Sequence, residues 1–180
     1  MRKTVLVYGG ISGLLMVMMF VISFYMMEQG TLSFDNSELF GYTTMIIVLS
    51  LIFFGVKSFR DKHNNGAITF GKGFKVGLSM VAIASLMYAG GWEVYYNTVP
   101  GIKESFMQRY ADMTAKKMKH DGKSQEEIAK KLEEMKSLAE MYKNPFIRFG
   151  ITLMEIFPIG LAIALISAGV LRKKEILPTS

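Results

Sequence analysis

Long runs of apolar residues alternate with polar segments along this chain, and their lengths predict its architecture. The first two runs contain no charged residue, the third contains only Glu93, and the fourth, from Phe149 onward, contains only Glu155. A helix needs roughly 17 to 25 such residues to cross a hydrocarbon core of about 30 Å at about 1.5 Å per residue. The first run also lacks the polar stripe of a water-facing helix. We therefore predict one all-α, polytopic integral membrane domain over residues 1–180, with four transmembrane helices at about residues 4–27, 39–56, 76–97 and 146–171.

A basic loop separates the second and third predicted spans. Asp61 is its only acid, and its cations are Lys57, Arg60, Lys62, Lys72 and Lys75. An excess of lysine and arginine in a short loop is typical of the cytoplasmic side of a membrane. Residues 28–38, between the first two spans, carry three acids and neither lysine nor arginine. We therefore expect a multi-pass protein of the bacterial inner membrane with both termini in the cytoplasm.

The segment at about residues 101–143 is charged but keeps the spacing of amphipathic helices. One apolar face contains Ile102, Phe106, Tyr110 and Met113, and a second contains Ile128, Leu132, Met135, Ala139 and Tyr142. Ser124 and Glu127 have the spacing of a capping box, which opens the second helix. These features predict an extracytoplasmic helical hairpin between the third and fourth spans. Its apolar faces cover either the protein's own membrane domain, the lipid surface, or a protein partner, including a second copy of the chain.

Glu93 and Glu155 are candidate functional residues because a carboxylate inside a membrane costs several kcal/mol unless it is paired or hydrated. The third and fourth spans run in opposite directions, so both carboxylates can lie at a similar depth. On a shared face they would bind a proton or a cation. The alternative is that each reaches water or pairs with Arg148 or Lys103. Pro158, close to Glu155, predicts a kink in the last span.

Glycine pairs indicate where spans approach each other closely. Gly9 and Gly13 form a small-xxx-small pair, which serves helix packing within one chain or a dimer contact. Gly73 and Gly77 are further candidates for helix packing.

The residue types give little support to disulfides, metal binding, nucleic-acid binding or catalysis. The chain has no cysteine, so disulfides and thiolate metal sites are excluded. The net charge of +6 comes largely from cations that flank apolar runs, where they meet lipid headgroups and not nucleic acid. His63 and His120 lie in polar segments without a defined catalytic partner, and the 15 methionines show no repeated metal-binding spacing. We predict no catalytic residue, no metal and no cofactor.

The basic loop and the start of the third span carry a pattern that resembles a known family. Its residues are Arg60-Asp61, Gly66, Ile68, Phe70-Gly71-Lys72, Phe74-Lys75 and Gly77. With the charged hairpin, this pattern resembles the DUF4199 family of small bacterial four-span membrane proteins. The resemblance implies a four-helix membrane protein of the bacterial envelope, and it brings no known activity. The sequence therefore favours a non-enzymatic membrane scaffold or interaction protein, with a small proton- or cation-coupled transporter using Glu93 and Glu155 as the alternative. A lipid-modifying enzyme is a third hypothesis.

Overall fold

Seven helices form the structure, a computed structural model that describes residues 1–32 and 34–173 and, of residues 34 and 35, only the backbone. An isolated antiparallel bridge joins Ile68 to Lys173, and no strand occurs within these ranges. The helices are α1 (Arg2–Glu28), α2 (Phe34–Leu49), α3 (Leu51–His63), α4 (Phe70–Thr98), α5 (Ile102–His120), α6 (Gln125–Tyr142) and α7 (Pro145–Leu171).

Four helical segments are long and apolar enough to cross a membrane: α1, α4, α7 and the α2–α3 segment Asn36–His63. The prediction of an all-α protein with four transmembrane helices is therefore confirmed. Only Ser50 separates α2 from α3, and its hydroxyl donates to the carbonyl oxygens of Ile46 and Ile47 at 2.9 Å each. These bonds keep the backbone polar groups satisfied at the break, which a lipid environment requires.

The basic segment between the second and third spans is mostly helical, so the prediction of a loop there is wrong. α3 continues to His63 and α4 already begins at Phe70. Cations in the last turn of α3 interact favourably with the helix dipole, and the Thr69 hydroxyl caps α4 by accepting a hydrogen bond from the Lys72 N–H. The helical positions concerned are Lys57, Arg60 and Lys62 in α3, and Lys72 and Lys75 in α4.

Helix α4 lies at the centre, between α1 and α7. A Cβ atom added at Gly9 of α1 would lie 3.0 Å from the Met80 carbonyl oxygen, and one added at Gly13 would lie 2.8 Å from the Met87 Cβ. α1 therefore approaches α4 of the same chain at both glycines. Such close approach of small residues is how membrane helices gain packing energy.

The α4–α7 contact uses small residues in the same way. A Cβ atom added at Gly73 would lie 3.4 Å from the Ala168 Cα, and one at Gly77 would lie 3.2 Å from the Ala164 Cβ. α7 remains helical through Pro158, although proline cannot donate to the carbonyl of the preceding turn. A bend at Pro158 stays a prediction.

The α5–α6 hairpin lies against one end of the bundle. The capping box of Ser124 and Glu127 is formed, and it lowers the pKa of the Glu127 carboxyl through hydrogen bonds from Ser124. Ile102 and Tyr142, at the two ends of the hairpin, are buried with Trp92 and Tyr96 of α4. The hairpin thus covers its own membrane domain, one of the alternatives left open by the sequence.

Candidate functional site

Glu93 forms an ion pair with Arg148 across the α4–α7 contact. The Arg148 Nε donates to Glu93 Oε1 at 2.8 Å, and its Nη2 donates to Oε2 at 2.5 Å. The Arg148 side chain is 3% exposed and that of Glu93 is 20% exposed. A planar guanidinium that binds both carboxylate oxygens gives a strong and well-oriented pair. The Glu93 carboxylate is therefore already neutralised inside the protein.

The same arginine attaches the hairpin to the spans. Its Nη1 donates to the Tyr142 carbonyl oxygen at 3.0 Å, and its guanidinium carbon lies 4.0 Å from the centre of the Tyr96 ring. Trp92 Nε1 donates to the Tyr142 hydroxyl at 2.8 Å. Burial raises the pKa of that hydroxyl above its ordinary value, so it stays neutral and accepts this bond. We call Glu93, Arg148, Tyr142, Tyr96 and Trp92 the anchor cluster.

Glu155 lies in a different environment, a cavity of about 510 Å³ lined by residues of α1, α2, α4, α5 and α7. Glu155 is among the lining residues and Glu93 is not. Within residues 1–32 and 34–173, the Glu155 carboxylate makes no hydrogen bond or ion pair. The structure therefore does not bring the two glutamates together in one site.

The cavity extends from the hairpin into the depth of the spans. Glu155 follows Pro145, at the start of α7, by ten positions, about 15 Å along the helix axis. Met16 of α1 and Met45 of α2 line the cavity and are also far from the helix ends nearest the hairpin. Lys117 of α5 lines it at the hairpin side, where its Nζ lies 2.6 Å from a Glu38 carboxylate oxygen.

The walls of this cavity are mainly aromatic rings and thioethers, a feature that sequence reasoning missed. Six of the chain's methionines line it, four from the spans and two from the hairpin, and in the sequence they show no repeated metal-binding spacing. Their shared location is invisible in the sequence because they belong to three helices. The lining rings and thioethers are Phe20, Phe24, Tyr42, Tyr88, Phe106, Tyr110, Met16, Met19, Met27, Met45, Met113 and Met118.

The basic residues at the opposite end of the bundle serve partly to hold the structure together. Arg60 Nε lies 2.6 Å from Asp61 Oδ1, and its Nη1 donates to the Leu171 carbonyl oxygen at 3.4 Å. Lys72 binds Asn64 and lies over the Phe59 ring. With the Ile68–Lys173 bridge, these contacts join the α3–α4 connection to the end of α7. Lys57, Lys62 and Lys75 are exposed.

No group of three or more histidine, aspartate or glutamate side chains suited to a metal ion occurs in the described part of the chain. Two features of the structure are candidates for function. The first is the Glu93–Arg148 ion pair, which is neutralised and structural. The second is the amphipathic cavity with the Glu155 carboxylate in its deep part. Only the second leaves room for a ligand.

Four transmembrane helices and a helical hairpin outside these spans define a small polytopic α-helical membrane protein. The chain belongs to the DUF4199 family, described as a protein of unknown function, whose model matches residues 7–173. The family suspected from the sequence is thereby confirmed. No curated protein and no solved structure matches the chain.

Proposed function

We propose that this protein is a non-enzymatic membrane protein that binds a small amphipathic molecule in the cavity between its spans and its hairpin. The observation that supports the proposal is the cavity of about 510 Å³ with Glu155 in its wall. Small-molecule sites typically have volumes of about 300 to 1,000 Å³, mostly apolar walls and few polar groups. This cavity has the volume and the mainly apolar walls of such a site, and most of its charged side chains lie at the hairpin end.

The hypothesis of a scaffold that binds proteins through its hairpin gains less support. The apolar residues Ile102, Ile128, Met135 and Tyr142 of the hairpin are already buried within the chain. A docking surface would need an unoccupied apolar face. The outer face of the hairpin is instead polar, with exposed lysine–glutamate pairs such as Lys131–Glu134 and Lys136–Glu133.

Cation-coupled transport remains a second candidate function, centred on Glu155 alone. Glu93 cannot contribute a free carboxylate while both of its oxygens bind Arg148. Glu155 keeps the properties expected of a transport residue, because it is an ionisable group within a span that faces a cavity. Transport would require this cavity to open alternately to the two sides of the membrane.

Photolabelling tests whether the cavity admits a small molecule. The protein in lipid nanodiscs is irradiated with a neutral aryl diazirine, and labelled residues are identified by mass spectrometry. We expect labelling at Tyr88 and Met45, which line the cavity. Gly41 also lines it, and a Cβ atom there would meet no atom within 4 Å. Gly41→Phe should therefore fill the cavity without a backbone clash and lower this labelling by about tenfold, the factor given by 1.4 kcal/mol of binding energy.

Gly169→Phe is the matched control, because Gly169 lies on an exposed face of α7 with equally open space around it. It should leave labelling of the cavity unchanged. Labelling of the exposed residue Ile166 should not respond to Gly41→Phe. If Tyr88 and Met45 stay unlabelled in the wild type, or if Gly41→Phe has no effect on them, the proposed binding function is wrong.

A further inference from the structure

We infer that the ligand of this cavity is a hydrophobic monovalent cation, that is, an organic cation with an apolar body. The inference rests on the proposed function and adds the charge and chemical class of the ligand. It follows from the charge inventory of the spans, from the walls of the cavity and from the position of its cations.

The charge inventory of α4 and α7 leaves one negative charge without a partner. The apolar parts of these spans, residues 76–97 and 146–171, contain three charged residues: Glu93, Arg148 and Glu155. Arg148 donates two hydrogen bonds to Glu93 and a third hydrogen bond to the Tyr142 carbonyl oxygen. Glu155 follows Arg148 by seven residues on α7, about two helical turns or 10 Å along the axis. The one buried base of these two segments is thus committed elsewhere, and Glu155 has no counter-ion among the residues that the structure describes.

The walls around Glu155 favour a positive and not a neutral or negative ligand. Tyr42 of α2 and Tyr88 of α4 line the cavity together with Glu155, and Phe20 of α1 lies within ring-contact distance of Tyr88, with centroids 5.7 Å apart. The faces of aromatic rings attract cations, and quaternary ammonium ligands are recognised in this way. Thioether sulfurs are polarizable, and methionine side chains adapt to irregular ligands.

The cations at the cavity do not reverse this preference. Lys117 already binds the Glu38 carboxylate, and Arg109 is exposed on α5. Both belong to the hairpin and not to the spans, so water and salt screen them more strongly than a charge inside the spans. Among the described lining residues, three are acids, Glu38, Asp121 and Glu155, against these two bases. A single carboxylate in the deep part also fits one positive charge, whereas Ca²⁺ or Mg²⁺ would require several oxygen ligands.

The test uses two ions that share shape and size and differ in charge, tetraphenylphosphonium and tetraphenylborate. Binding of each to the full-length protein in zwitterionic nanodiscs is measured by equilibrium dialysis. Protein-free nanodiscs provide the baseline, because the membrane dipole potential acts differently on the two ions. We expect tighter binding of the cation than of the anion by the wild-type protein.

Substitutions at Glu155 decide the cause of any preference. Glu155→Gln should weaken binding of the cation by at least about tenfold, equivalent to about 1.4 kcal/mol, and should not weaken binding of the anion. Glu155→Asp, which retains the charge, should keep the preference for the cation. Glu28→Gln removes the same charge from the end of α1, outside the lining of the cavity, and should change neither affinity.

The outcomes separate the inference from the function on which it rests. Equal or tighter binding of tetraphenylborate, or no response to Glu155→Gln, would overturn the cation assignment. If Gly41→Phe still abolished binding of both ions in that case, the proposed binding function would stand. If neither ion bound above the baseline and the diazirine left the cavity unlabelled, the cation assignment and the proposed binding function would both be wrong.

Discussion

Replacing Arg148 by methionine should strongly destabilise the protein, because it removes the only cation of the anchor cluster. Methionine has a similar length but cannot donate hydrogen bonds. The change deletes two bonds to Glu93 and one to the Tyr142 carbonyl, and it leaves the Glu93 carboxylate in a largely buried position. Breaking a buried ion pair typically costs about 3 to 5 kcal/mol. The Glu93 side chain is 20% exposed, so water can partly solvate it and we expect about 3 kcal/mol, the lower end of that range.

A double-mutant cycle separates the ion pair from the other contacts of Arg148. Glu93→Gln alone should also destabilise, because it leaves the buried guanidinium without its counter-ion. Arg148→Met combined with Glu93→Gln should cost less than the sum of the two single changes, since no unpaired charge remains. The difference between the sum and the double variant measures the coupling of the pair. We expect it to exceed about 1 kcal/mol, within the usual range for residues in contact.

Fluorescence of Trp92 can follow the unfolding in detergent micelles. Trp92 is the chain's only tryptophan, and its indole N–H donates to the Tyr142 hydroxyl within the anchor cluster. The free energy of unfolding is obtained by titration with a denaturing detergent, and amide hydrogen exchange reports on α5 and α6. An unfolding free energy of Arg148→Met within about 0.5 kcal/mol of the wild type, the size of an ordinary surface effect, would refute the assignment of Arg148 as an anchor.

Two further predictions concern packing and topology. Gly77→Leu should lower the free energy of unfolding by about 1 to 3 kcal/mol through overpacking, because its Cβ would lie 3.2 Å from the Ala164 Cβ. Gly169→Leu, in open space, should be nearly neutral. Equal stability of both variants in the same titration would contradict the packing at Gly77. Since the chain has no cysteine, Lys62→Cys and Lys130→Cys place single thiols on α3 and α6. A membrane-impermeant maleimide added to intact cells should label the Lys130→Cys variant and not the Lys62→Cys variant. Labelling of Lys62→Cys alone would show that the orientation is the reverse of the expected one.

The spans were predictable because membrane insertion depends on local composition. Each apolar run is long enough by itself to form a transmembrane helix, so no contact between distant residues is needed to recognise it. The hairpin was predictable for a similar reason, since its capping box involves Ser124 and Glu127, three residues apart. The start of α7 was also encoded locally, with Asn144 as the cap and Pro145 at the first helical position.

The extent of the helices at the basic end was harder to predict. Lysine and arginine suggested a loop because charge is costly in lipid, but the backbone of a helix stays hydrogen-bonded when it leaves the membrane. Long basic side chains can also extend from such a helix into the interface. α3 therefore continues to His63 although the apolar run ends at Val56. Composition locates the edge of the membrane, and it does not locate the end of a helix.

The candidate site could be predicted only in part, because it depends on contacts between distant residues. The sequence identified Glu93 and Glu155 and named Arg148 as one possible partner, but it did not decide between pairing and a shared carboxylate site. Glu93 and Arg148 are 55 positions apart. The cavity depends on five helices, and its lining extends from Met16 to Glu155. No local pattern contains that information.

The different environments of the two glutamates follow from the position of one arginine and link the hairpin to the cavity. Arg148 binds Glu93 on α4 and the Tyr142 carbonyl at the end of α6, so it joins the hairpin to two spans. The other arm of the hairpin, α5, forms a wall of the cavity that contains Glu155. Since α5 and α6 pack against each other, the anchor cluster holds the wall of the cavity in place without lining the cavity itself. On this basis, the ion pair at Glu93 positions the cavity, and the carboxylate that is free to meet a ligand is that of Glu155.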